Sequence, residues 1–332
     1  MMLAMVMTAG CAAPLTRAAE TTTTTTTATT TTAPPPPAPL TGLPAPGIDL
    51  GRRPLAFKID NAKGAQPQAG LNQADVVIEQ VVEGGLVRFM AVFQSQDADP
   101  VGPVRSGRPV DVALAESLGQ PVLVMSGAQR SVLRSLQRAG IEVVSQDSGS
   151  SALKRSGRFG QRAPHNVFSS TGSVYDAVQT DHGTTLPLAE FSAVPAPAAA
   201  PANIVDVAFS RSTSVQWRWD PAVGRYERMS GTGVQQLADG SELEVENLVF
   251  QFVEHRSTGL RDGGGNPVPN WDITGTGPVK IARNGVISSG TWSRAAPSAP
   301  ITFAAETGET ITLTPGRTWW SLVPVDQSVT PS

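Results

Sequence analysis

Arg53-Pro54-Leu55-Ala56-Phe57-Lys58-Ile59-Asp60-Asn61 sets Leu55, Phe57 and Ile59 at alternate positions between smaller or polar residues. A period of two marks a half-buried β-strand, because successive side chains leave opposite faces. Outward from it, Ala74 to Glu83 is dense in β-branched residues, Gly84-Gly85 interrupt the run, and Leu86 to Gln94 resumes it. Two such runs about a glycine pair predict a hairpin. Further on, Val110 to Leu118 has helical character and Gln120 to Met125 reads as a buried strand. Ser131 to Ala139 reads as a helix capped by Ser131, and Gly140 to Val144 as another strand. Strand, helix and strand in succession predict an α/β (or α+β) domain over 40–193, with a mixed sheet and some parallel pairing.

The pattern changes after 194–202, where proline and alanine dominate and a stiff spacer is expected. Short strands are predicted at Ile204 to Phe209, Ser214 to Asp220, Arg225 to Met229, Glu244 to His255 and Val279 to Arg283. Others follow at Val286 to Arg294, Ile301 to Ala304, Thr310 to Thr314 and Thr318 to Pro324, with Asn284-Gly285 as a hairpin turn. This predicts a smaller, mainly β domain over 203–326, a sandwich or barrel, with a disordered tail at 327–332. Trp217, Trp219, Trp292, Trp319 and Trp320 read first as core. Stacking on sugar rings is the sharper alternative. In a strand Trp319 and Trp320 would point to opposite faces, leaving one of them free to be exposed.

At the N-terminus, Leu3 to Met7 form a short apolar run that ends in Thr8-Ala9-Gly10-Cys11, small residues directly before the only cysteine. That is the pattern of a lipoprotein signal over 1–10, with Cys11 as the lipidated residue. Thr8 stands where leucine is usual and no Lys or Arg precedes the run, so a start further upstream is expected to supply the basic segment. Residues 11–39, nearly pure threonine and then proline with alanine, carry too little apolar surface to offset chain entropy and predict a disordered stalk. A lone cysteine excludes an internal disulfide. No later apolar run approaches the roughly 20 residues of a membrane helix, so the lipid is the expected membrane contact. With a net charge of −3 and no basic block, a nucleic-acid partner is not expected. The expected location is the outer face of the cytoplasmic membrane.

Polar groups in and beside the predicted strands form the candidate site: Lys58, Asp60, Asn61, Glu79, Glu83, Arg88, Arg105, Ser106, Arg108, His165 and Asn166, with Asp111 close in sequence. The loop Val101-Gly102-Pro103-Val104-Arg105-Ser106-Gly107-Arg108-Pro109 sets two arginines three apart before a helix, a setting that favours an anion. Buried charge persists only when paired, so a structural network competes with that reading. Catalytic signals are thin. Ser106 has no base nearby in sequence, His165 stands alone, and His182 reads as a solvated loop residue. Neither a metal cluster nor a cofactor is expected from the spacing of histidines and the single cysteine.

These stretches resemble a known family. Lys58-Ile59-Asp60-Asn61, Gly70-Leu71-Asn72-Gln73-Ala74-Asp75-Val76-Val77, Glu83-Gly84-Gly85, Arg88-Phe89, Val101 to Ser106 with Arg108, Ala163-Pro164-His165-Asn166 and Gly316-Arg317-Thr318-Trp319 resemble the YerB-like lipoproteins, also known as domain of unknown function 3048. The resemblance implies an exported lipoprotein with an N-terminal α/β domain and a smaller β domain, and implies no reaction. Three functions stay open. The favoured one is a non-catalytic envelope module that binds a wall polymer or partner protein. The second is a binder or transferase for phosphate-bearing, lipid-linked wall precursors, using Arg105 and Arg108. The third is a glycan-active enzyme using Glu79 and Glu83 as a carboxylate pair.

Overall fold

All five residues of the strand Leu55–Ile59 (β1) are buried, where alternation predicted burial on one face only. The computed structural model, which describes Met7, Ala9, Gly10 and residues 36–332, gives the reason. β1 lies inside a sheet covered on both faces, and its polar member Lys58 is received by a carboxylate from a helix. The lipidation reading at Cys11 and the stalk as far as residue 35 fall outside the described residues.

The N-terminal strands are β1, β2 (Val76–Val81), β3 (Val87–Phe93), β4 (Val122–Met125) and β5 (Glu142–Ser145). Between them run α1 (Val110–Glu116) and α2 (Arg130–Arg138), and α3 (Thr171–Tyr175) follows. As predicted, β2 and β3 form an antiparallel hairpin about Gly84-Gly85, and β1, β4 and β5 pair in parallel through α1 and α2. Ser131 is not the cap of α2. Gln129 occupies that position and makes no side-chain cap bond.

The C-terminal strands are β6 (Ile204–Ala208), β7 (Ser214–Asp220), β8 (Arg225–Ser230), β9 (Asn247–Val253), β10 (His255–Arg261) and β11 (Pro267–Trp271). After them come β12 (Gly275–Arg283), β13 (Val286–Arg294), β14 (Thr302–Ala305), β15 (Thr318–Pro324) and β16 (Val329–Pro331). They do not close into a sandwich or barrel of their own. The main sheet runs β14-β13-β12-β9-β15-β2-β3-β1-β4-β5, with the short strand Ala200–Pro201 added beside β13. β15 pairs in parallel with β9 on one side and β2 on the other. Its sequence TWWSLVP explains this position: all seven residues are buried, so the strand needs neighbours on both edges and cover on both faces. Trp319 and Trp320 are therefore both buried, as are Trp217 and Trp292, and only Trp219 is half-buried.

The chain is mostly sheet, with few helices and a mixed main sheet. A second, antiparallel sheet is built from β8, β7, β6 and β16 with two short strands. β16 lies in the segment expected to be a disordered tail; Val329 is 4% exposed and the strand pairs with β6, an edge that the tail sequence alone does not announce. The Pro/Ala segment 194–202 is likewise held, through Arg283 to the Val194 carbonyl and Ser288 to that of Pro197. Thr310 to Thr314 makes only isolated bridges and is not a strand.

Asn284 and Gly285 turn between β12 and β13 with φ of 54° and 74°, the two positive angles of a type I′ turn. A different glycine is fixed by close approach. A Cβ on Gly290 of β13 would stand 2.1 Å from the carbonyl oxygen of Ala304 in β14. Gly290→Ala is expected to push the two strands apart and cost about 1–3 kcal/mol, read as a lowered midpoint of thermal unfolding.

Cross-strand register divides the polar residues between the two faces. Lys58 lies opposite Met90, and Gln80 opposite Arg88, on the face that α1 covers. Glu79 lies opposite Phe89 and beside Ser321 on the other face, where Trp217 of the second sheet meets Trp319 with ring centroids 5.2 Å apart.

Candidate functional site

The carboxyl ends of β1, β2, β4 and β5 share one edge of the main sheet, because β1 and β2 are both antiparallel to β3. In open α/β sheets that edge is where ligands usually sit. The segment after β3 wedges into it: Asp60 N donates to the Pro103 carbonyl, Arg105 N to that of Lys58, and Ser126 N to that of Arg105. Backbone pairing thus delivers Arg105, Ser106 and Arg108 beside Lys58, Asp60 and Arg88, residues up to fifty positions apart.

The charges there are arranged in pairs. Lys58 Nζ donates to Asp111 Oδ1 at 2.8 Å, with both side chains fully buried. Asp111 also accepts from Gln80 Nε2 at 3.0 Å and from Arg108 N at 2.6 Å. Burial, the largest effect, pushes Lys58 down to about 8 even though Asp111 opposes it. Arg108 makes a two-pronged contact with Glu83, at 2.5 and 2.8 Å. Asp60 Oδ2 lies 3.1 Å from Arg105 Nε and 2.7 Å from His165 Nδ1. Asn61 accepts from Gln68 Nε2 at 2.8 Å.

Arg88 differs. It donates to the Ser106 carbonyl at 3.1 Å and has no ion pair among the described residues. Burial, with Arg108 nearby, lowers its guanidinium to about 10. The cluster therefore holds four cations at neutral pH, Lys58, Arg88, Arg105 and Arg108, against the three carboxylates of Asp60, Glu83 and Asp111.

Two candidates lie elsewhere. Glu79 is fully buried beneath the second sheet, where it takes Arg228 at 2.8 Å, Trp319 Nε1 at 2.8 Å and Ser321 Oγ at 3.3 Å. With Glu83 bound to a different arginine, the two carboxylates do not form an acid–base pair: register sends Glu79 to the face away from α1. Asn166 holds Arg155 at 2.8 Å rather than any member of the cluster. Ser106 Oγ meets Ser126 Oγ at 3.2 Å and no imidazole or carboxylate, so nothing activates it among the described residues. His182, at the opposite edge, sits between Asp181 and Asp49, whose hydrogen bonds hold its pKa above the usual value.

A cleft of about 280 Å³ opens beside the cluster, lined by Ser106, Arg108, Ala128, Gln129, Asp147 and Asp262. Asp262 comes from the turn of the β10–β11 hairpin, which Gln129 fastens by donating to the Arg261 carbonyl at 2.6 Å. The contact joins residues 132 positions apart, and no local pattern in the sequence reports it.

Comparison with known proteins agrees with this arrangement. The model of the N-terminal domain of "Protein of unknown function (DUF3048)" matches residues 40–184, and that of its C-terminal domain matches 205–320. The chain is 28% identical over 298 residues to "Putative lipoprotein YerB" of Bacillus subtilis (strain 168), covering 86% of each. It is also similar to the crystal structure of YerB protein from Bacillus subtilis, with a TM-score of 0.75 and 26% identity over 89% of this chain and 99% of that one. Both domains match in their proper order and the likeness runs through nearly the whole described fold, so the chain belongs to the YerB-like family.

Proposed function

We propose that this protein is held by lipid on Cys11 at the outer face of the cytoplasmic membrane and serves as a non-catalytic binding module for a wall polymer. The lipoprotein name of its relative supports the anchor. What carries the binding reading is the way the family's charged residues engage one another. Lys58 with Asp111, Arg105 with Asp60, Arg108 with Glu83 and Arg228 with Glu79 are pairs that stiffen the fold, and none is poised against a nucleophile. Arg105→Gln with Arg108→Gln is expected to lower the unfolding midpoint while leaving wall-fragment binding by sedimentation unchanged. Binding abolished in a variant that stays folded would overturn this reading.

One observation favours a second reading, a binder of phosphate-bearing precursors. The surplus charge of Arg88 leaves its cluster one carboxylate short, and a guanidinium fork suits phosphate. Calorimetric titration with inorganic pyrophosphate tests it. Binding that Arg88→Gln removes would raise this reading above the first.

A further inference from the structure

Between Ser126 and Asn166 the chain carries seven arginines and lysines and two carboxylates, while the rest holds eighteen cations and twenty-six carboxylates. All seven, Arg130, Arg134, Arg138, Lys154, Arg155, Arg158 and Arg162, are exposed. None forms an ion pair among the described residues, and of the two acids Glu142 is already bound to Arg53. Spread over thirty-three positions they form no basic block in the sequence. The fold brings five of them to one end of the main sheet, at the terminal strand β5: α2 supplies Arg130, Arg134 and Arg138, and Arg155, with Lys154 next to it, donates to Gln146 just beyond β5 at 3.3 Å. Arg158 lies apart, in a cleft lined by Asp97, Asp99 and Asp239, and Arg162 follows Gln161, which bonds the Pro67 carbonyl.

We propose that this β5 end is the docking surface for a polyanionic wall polymer of the phosphodiester type. The inference rests on the binding-module reading and names its partner. Unpaired exposed cations self-repel, and an approaching row of phosphates relieves that repulsion without dismantling any existing pair. Four of these five are arginines, whose forks grip phosphate oxygens in pairs. Five exposed cations on two separate segments suit a chain of charges better than a single small anion.

The test uses the purified full chain and a fluorescent poly(glycerol phosphate), read by anisotropy, beside vesicles of phosphatidylglycerol in phosphatidylcholine. The variant Arg130→Gln, Arg134→Gln, Lys154→Gln alters only side chains without a hydrogen-bond partner among the described residues, and its unfolding midpoint should match the wild type. Expected is polymer binding that weakens steeply with added salt and at least about tenfold in the variant. Equal binding by variant and wild type, no polymer binding at all, or binding to vesicles alone overturns the surface while leaving the non-catalytic reading standing. Shortening of the polymer during incubation overturns the non-catalytic reading instead, and leaves the surface to be judged by the variant.

Discussion

Arg228→Met is expected to destabilise the protein by about 3–5 kcal/mol, read from urea unfolding followed by tryptophan fluorescence, because it leaves the Glu79 carboxylate buried without its cation. Both side chains lie between the two sheets, with 6% and 0% of their surface exposed. Arg228 also donates to Gln235 Oε1 at 2.5 Å and lies 5.2 Å over the Trp319 ring and 5.4 Å over that of Phe89. Methionine retains much of that packing, so the loss isolates charge. The decisive comparison is the double variant Glu79→Leu, Arg228→Met. If the pair mainly satisfies itself, removing both partners restores most of the stability, as replacement of buried ion pairs by apolar residues often does. A double variant as unstable as the single one would show instead that the pair fixes the approach of the second sheet. An enzymatic role for Glu79 predicts a different outcome, lost activity without lost stability.

How much of this was legible beforehand depends on the range over which each feature is specified. β1, the β2–β3 hairpin, the parallel β1, β4 and β5 strands and the Asn284-Gly285 turn follow from local periodicity and turn chemistry, and the structure has them all. The joining of C-terminal strands to the N-terminal sheet was not legible, because β15 declares only that it is apolar on both faces and not which strands will flank it. The same limit applied to the site. The pairing of Arg108 with Glu83 spans twenty-five positions and that of Arg228 with Glu79 spans 149. The sequence listed the charged residues in the right stretches. Only register could say that Glu79 leaves them for the opposite face. The basic surface was hidden for the converse reason, since its cations are sparse along the chain and dense only around β5.

Asp111→Ala is expected to cost a comparable amount at neutral pH, about 3–5 kcal/mol, and to change how stability depends on pH. Lys58 is fully buried, with a pKa near 8 in the folded protein against an ordinary 10.5. Below pH 8 the amine is charged in both folded and unfolded chains and contributes no slope. Between pH 8 and 10.5 the folded chain has released the proton and the unfolded chain still binds it, so stability rises with pH; above 10.5 the slope ends. The gain present at high pH is thus lost as pH falls through the folded value, the sense required of a depressed pKa. Asp111 is the main influence holding that value up, so its removal pushes Lys58 lower and moves the start of the rising window below pH 8. Lys58→Met should abolish the rise, since its amine is gone. Lys58→Met with Asp111→Asn should be more stable at neutral pH than Asp111→Ala, because the asparagine oxygen still accepts from the Arg108 N–H, its amide can donate to the otherwise unpartnered Gln80 Oε1 once that side chain turns over, and no unpaired cation remains. Unfolding free energies that lie parallel for wild type and Lys58→Met from pH 7 to 10.5 would place the lowered pKa elsewhere and reduce this buried pair to ordinary packing.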